Sequence, residues 1–211
     1  SDVCSSDLVK NYMSRGLYSS TMTGEPFLYF EFKEVAKLKI SGLSDKEIRD
    51  KVKAENLFQY KTGKSITKVL PAVMRRVGIL DTTLLELCIN GYVQTSKLIV
   101  LYAIAKTNRL FYDFLRETYG EKLRLGELRL ERRDFNRFFN NKAEQNENVA
   151  LWTENTINKL KQVFAKVLVD AGLMSEKYEL TPPVIEANLG AHFRKLGQRQ
   201  FLSMITGGLD C

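Results

Sequence analysis

The stretch "TENTINKLKQVFAKVLVDAGLMSEKYELTPP", Thr153 to Pro183, decides how the rest of this chain is read. Ile157, Leu160, Phe164, Val167 and Leu168 recur at the spacing of one apolar helix face. Thr153 has the chemistry of an N-cap and Gly172 that of a stop. "LMSEKYEL" then reads as a β-hairpin turning around Ser175 to Lys177, with two prolines behind it. A lysine-bearing helix followed by a small hairpin is the layout of a recognition helix and its wing. The plainer reading is an ordinary core helix with a hairpin lid.

Upstream, the pattern is helical almost throughout. "TGEPFLYFEFKEVAKLKISG" predicts a helix that starts near Thr23–Pro26 and uses Phe27, Phe30, Val35 and Leu38 as its apolar face. Ser44 followed by Glu47 forms a capping-box pattern for a helix carrying Ile48 and Val52. "SITKVLPAVMRRVGILD" places Ile66, Leu70, Val73 and Val77 on one side, and Pro71 predicts a kink or break near Leu70. "TTLLELCING" and the aromatic-rich run from Thr95 to Leu123 supply further helices, with Tyr102, Phe111, Tyr112, Phe114 and Tyr119 expected in the core. A short strand at Leu128–Leu130, a helix from Arg132 to Gln145 and a connector "ENVALW", with Trp152 as a packing anchor, lead into the opening stretch. The expected fold is mostly α: a compact helical protein with helix-turn-helix or winged-helix-like units and a small β-hairpin wing. The expected organisation is a leader at 1–17, a helical unit at 18–80, a central core at 81–127 and a winged-helix-like unit with a tail helix at 128–211. "SDVCSSDL" matches no structural element, and the native start is expected near Met13.

Composition narrows the classes. With 44% hydrophobic and 27% charged residues the chain reads as an ordinary soluble globular protein. Its formal net charge of +7 favours a polyanionic partner. Cys4, Cys88 and Cys211 form no CxxC pair, and His192 is the one histidine, so no metal site or disulfide framework is legible and a cytoplasmic setting is expected. The longest apolar run, "LIVLYAIA" between Lys97 and Lys106, is far short of the ~20 residues a membrane span requires. "KTGKS" at Lys61–Ser65 ends like a phosphate loop but lacks the upstream glycine and strand. No cofactor is expected, and no catalytic constellation is visible.

Two helix-turn-helix candidates carry the remaining chemistry. A groove-binding helix needs small polar residues near its N-terminus and cations that neutralise phosphates. The first unit offers Lys61, Lys64, Thr67, Lys68, Arg75 and Arg76. The second offers Arg132 and Arg133, then Thr153, Asn155, Thr156, Asn158, Lys159 and Lys161, with Gln162 also outward and Lys177 on the wing. Lys and Asn predominate over Arg near Thr153, which predicts contact chiefly with the phosphate backbone and low sequence specificity.

The order and wording of "TGEPFLYFEFKEVAKL", "ENLFQYKTGKSITKVLPAVMRRVGILD", "TSKLIVLYAIAKTNRLFYDFL" and "WTENTINKLKQVFAKVLVDAGLM…LTPPVI" resemble the BrxA family, the A component of bacteriophage exclusion (BREX) defence systems, over nearly the whole chain from Tyr18 to Ile205. The resemblance implies a non-enzymatic, mostly helical protein that binds double-stranded DNA in anti-phage defence. It would be encoded beside a methyltransferase, an ATPase, a phosphatase-like protein and a Lon-like protease, some of which are its expected partners. The alternative expectation is an adaptor that docks other defence components without touching DNA. RNA binding shares the charge but not the exposed stacking aromatics a base reader uses.

Overall fold

The structure is a computed structural model that describes residues 18–208; the sequence reading of a leader at 1–17, and Cys4 and Cys211, lie outside the described residues. The described chain divides into two compact units, Phe27–Thr107 and a second made of 18–26 together with 108–208. It is mostly helical, and no strand occurs among the described residues.

The first unit contains α1 (Tyr29–Ile40), α2 (Asp45–Ala54), α3 (Gly63–Val77), α4 (Thr82–Asn90) and α5 (Val93–Thr107). α1 begins later than the Thr-Gly-Glu-Pro signal predicts. Thr21–Gly24 is a 3-10 turn, and α1 starts behind Leu28 in the left-handed region (φ 55°). Phe27 and Val35 of the expected face are buried, together with Phe32 and Ala36, while Phe30 is exposed. The Ser44–Glu47 capping box forms as the sequence indicates. α3 runs unbroken through Pro71. Pro71 is exposed, so the backbone hydrogen bond it cannot donate is missing on a side that water reaches. α1 packs on α3 and α4, while α5 packs on α3 and α4. Leu98 to Ala105 of α5 are all buried, as a helix apolar on every side must be. No helix of the described residues is long and apolar enough to cross a membrane.

The second unit is organised around phenylalanine rings. It comprises α6 (Arg109–Phe114), a π-turn (Leu115–Tyr119), α7 (Gly120–Arg124), α8 (Arg132–Gln145), the short α9 (Glu147–Ala150), α10 (Glu154–Asp170), α11 (Ala187–Lys195) and α12 (Arg199–Thr206). α9 replaces the predicted connector, and Trp152 behind it is half-buried rather than an anchor. Phe114 lies 5.1 Å from Phe135, 5.3 Å from Phe138 and 5.2 Å from Phe164, centroid to centroid. Phe164 also meets Phe111 at 5.0 Å and Phe139 at 5.7 Å. This cluster joins α6, α8 and α10. α12 crosses closely over α7: a Cβ on Gly120 would stand 2.9 Å from the Met204 carbonyl oxygen.

A buried ionic knot fastens the 18–26 segment to the same unit. Tyr18 donates its hydroxyl to Asp113 Oδ2 at 2.8 Å. Asp113, 4% exposed, also faces Arg116 at 3.1 Å and Lys142 at 3.7 Å. Lys142 donates to Glu117 at 2.9 Å. Burial alone would raise the Glu117 carboxyl, but hydrogen bonds from Lys142 and Arg116 outweigh it and hold the group below the ordinary carboxylate range.

In place of the predicted strand and hairpin there are two isolated antiparallel bridges, Met174 with Leu180 and Arg129 with Glu179. The Ser175 amide donates to the Glu179 carbonyl at 2.8 Å and the Leu180 amide to the Leu128 carbonyl at 2.9 Å. Pairing ends at Thr181 because Pro182 and Pro183 carry no N–H.

Two outcomes follow. In the first unit, burial pushes the Cys88 thiol up to about 12, so alkylation mapped by peptide mass at mildly alkaline pH should leave Cys88 unmodified until denaturant is added. In the second unit, Glu117 binds protons less readily folded than unfolded. Its stabilisation is therefore present above roughly pH 4.3 and lost as pH falls through the lower folded value. Urea midpoints measured from neutral to acid pH should drop less steeply for Glu117→Gln than for the parent chain.

Candidate nucleic-acid interface

In the first unit, Lys61, Lys64, Thr67 and Lys68 are exposed around the N-terminal half of α3. Thr62 caps this helix by accepting from the Ser65 amide. Lys61–Ser65 is a capped helix start, and no strand leads into it. Arg75 is half-buried. Arg76 corrects the sequence reading: it is 1% exposed, a core residue rather than an outward one. The reason is that α3's buried stripe widens toward its C-terminus, where Ala72, Val73, Met74 and Val77 are all covered and leave Arg76 no open side.

In the second unit the polar face of α10 is set by the packing of its apolar face. Leu160, Val163, Phe164, Val167 and Leu168 turn inward. Thr153 caps the helix by accepting from the Thr156 amide at 3.2 Å, and its hydroxyl meets that of Thr156 at 3.0 Å. Both threonines therefore serve the helix end. The other terminus closes on Gly172 at φ 75°, with the Leu173 amide bonded to the Leu168 carbonyl at 2.9 Å. Asn155, Asn158, Lys159 and Gln162 are exposed between these ends.

Lys161 lies to one flank, half-buried. Its ammonium donates to Asn136 Oδ1 at 2.7 Å and rests 6.0 Å from the Phe139 ring centre. Across from it stands Arg132, exposed at the first turn of α8. Its neighbour Arg133 is occupied, with Nε 2.6 Å from Glu131. Beneath them Asp134 is buried, 3.4 Å from Lys122 and 3.3 Å from Arg137. Lys177 is exposed in the turn after α10.

Arg132, Phe135, Asn136, Asn158, Lys161, Gln162, Ala165 and Tyr178 line an open groove of about 470 Å³ between the start of α8, the middle of α10 and the turn. Among the described residues no carboxylate lines it. The sequence reading placed Arg132, Asn158 and Lys161 here and took Gln162 as outward. It missed Phe135, Asn136 and Tyr178. The spacing of Arg132, Phe135 and Asn136 at i, i+3 and i+4 was the available signal. Tyr178 had none: it enters the groove through a left-handed backbone (φ 65°) with its ring perpendicular to Phe135 at 6.3 Å. Among the described residues no His, Cys, Asp and Glu cluster suits a metal ion.

These features define a helical protein of two compact units whose second unit presents a carboxylate-free, cation-flanked groove. The family model of BrxA matches residues 16–197. The chain is 37% identical over 194 residues to "BREX protein BrxA" of Bacillus cereus strain H3081.97, covering 90% of this chain and 97% of that one. A BREX protein BrxA of Escherichia coli O9:H4 strain HS is 19% identical over 188 residues, 88% of each chain. The crystal structure of an uncharacterized protein from Magnetospirillum magneticum superposes with a TM-score of 0.77 at 20% identity, over 90% of this chain and 98% of that one, and shows the same fold. The chain belongs to the BrxA family of BREX phage-defence components.

The placement of Arg76 gives a direct check. Arg76→Ala should lower stability by about 2 kcal/mol in urea denaturation, whereas Lys68→Ala on the exposed side should stay within about 0.5 kcal/mol.

Proposed function

We propose that this chain is a non-enzymatic double-stranded DNA-binding component of its defence system, contacting mainly phosphates through its second unit. The observation that carries this reading is the groove beside α10. Among the described residues, Arg132, Lys159 and Lys177 make no ion pair, and Lys161 is held by an amide rather than a carboxylate. Exposed cations without an ion pair, in a chain of net charge +7, are what counterion release from a duplex requires.

Element order supports the same reading. A helix (α7), a bridge at Arg129, two helices (α8 and α10) with α9 between them, a bridge at Met174, a tight turn and a returning bridge at Glu179–Leu180 follow the sequence of a winged helix-turn-helix. In this reading α10 is the recognition helix and Ser175–Tyr178 a rudimentary wing, shortened by the two prolines. Thr153 and Thr156 position the helix rather than the DNA. Lys61, Lys64, Thr67 and Lys68 of the first unit form a second polyanion-facing surface, since α3 carries no carboxylate. A DNA partner also accords with a cytoplasmic setting.

An adaptor role is the second reading. Tyr92 and Val93, 79% and 63% exposed, form an adjacent apolar pair at the start of α5. They suit another defence component such as the methyltransferase, ATPase or phosphatase-like protein. Co-purification of such a partner after nuclease treatment, with no duplex bound at low salt, would select the adaptor.

Binding to unrelated duplexes should weaken with salt at a log–log slope of about −0.9 per neutralised phosphate. The pair Lys159→Glu and Lys177→Glu avoids the packed Lys161 and should reduce both affinity and slope while leaving helical circular dichroism unchanged. An unaltered titration in that double variant would remove α10 and its turn from the interface.

A further inference from the structure

We infer that the exposed face of α10 reads adenine in the major groove, giving the protein a modest preference for A·T-containing duplexes; this rests on the DNA-binding reading above. The carrying observation is a stripe of carboxamides. Asn155, Asn158 and Gln162 fall at i, i+3 and i+7, which on a helix of 3.6 residues per turn keeps them within roughly 60° of one another. All three are exposed, and none spends its side-chain amide on an intramolecular hydrogen bond among the described residues. Asn108, Asn136 and Asn146 of the same unit are committed to the Phe111 amide, Lys161 and the Val149 amide.

The chemistry of the stripe selects a base. A carboxamide offers one donor and one acceptor side by side, and adenine presents N7 and N6–H₂ in the complementary order. Guanine presents two acceptors, N7 and O6, and calls for a cation with two donors. No arginine lies on α10, and its other lysines are engaged or placed aside. Lys166 pairs with Asp170 at 2.8 Å and Lys161 with Asn136 at 2.7 Å, which leaves Lys159 for a phosphate. Asn155 to Gln162 spans about 10 Å along the helix at ~1.5 Å per residue, the length of about three base steps. Asn158 and Gln162 also border the Arg132–Lys161 groove, so a backbone lying in that groove brings base edges against the stripe.

The test is competition binding of the full chain to duplexes of equal length with A·T-rich or G·C-rich centres, repeated with 7-deazaadenine, which removes N7 and leaves the minor groove intact. The parent protein should favour the A·T centre by roughly five-fold or more. Gln162→Ala and the 7-deaza substitution should each erase most of that preference without changing the salt slope, and Gln162→Arg should shift it toward G·C. Equal affinity for both centres, with a normal salt slope, overturns the adenine reading and leaves DNA binding standing. A preference that survives 7-deazaadenine or Gln162→Ala also overturns it, by assigning the selectivity to groove shape. Failure to bind any duplex at low salt removes the DNA-binding reading and this inference together.

Discussion

The contact of Phe164 with Phe111, Phe114 and Phe139 holds the second unit in register. Aromatic rings at 5.0–5.7 Å in tilted and edge-on arrangements bury large areas and tolerate little rotation. Because Phe164 sits in the middle of α10, fixing its azimuth fixes every other residue on that helix. Leu160 and Val167 go inward with it, and Asn155, Asn158 and Gln162 go outward. The same rings position α8, whose first turn carries Arg132. The groove is thus a by-product of core packing: two helices clamped by phenylalanines leave a channel where their polar sides diverge.

Charge is distributed with a division of labour. Lys142, Arg116, Lys122 and Arg137 are engaged by Asp113, Glu117, Glu127 and Asp134 within the unit. Lys122 and Lys142 are buried, and taking such charges out of water is costly unless each meets its opposite; Arg116 and Arg137 stay exposed while pairing with Asp113 and Asp134. Arg132, Lys159 and Lys177 are exposed and make no ion pair among the described residues. A net charge by itself does not say which cations are available; the carboxylate positions do.

Membership of the BrxA family and the helical fold were both legible in the chain. Strong periodicity made α2, α8 and α10 readable, and local chemistry made their caps readable: Ser44 with Glu47, Thr153 with Thr156, Gly172 at the stop. Reading failed where local signals compete with the surroundings. Thr23–Pro26 looks like a helix start, yet α1 waits for Tyr29 because the intervening residues form a 3-10 turn and a left-handed step. Pro71 looks like a break, yet it lies where solvent supplies what the backbone lacks. A strand and a hairpin were expected around Leu128 and Ser175, yet the pairing stops at isolated bridges.

The sequence by itself determined which residues could carry charge, which could cap, and which helix faces were apolar, because these depend on side-chain chemistry and on neighbours within one turn. Only the tertiary structure decided that Arg76 is core, that Lys161 leans on Asn136 and Phe139, and that Tyr178 closes a groove with Phe135. Each of those outcomes depends on where a second element, distant in the chain, comes to rest. Spacing along one helix cannot supply that, because it specifies a direction around the axis but not what stands there.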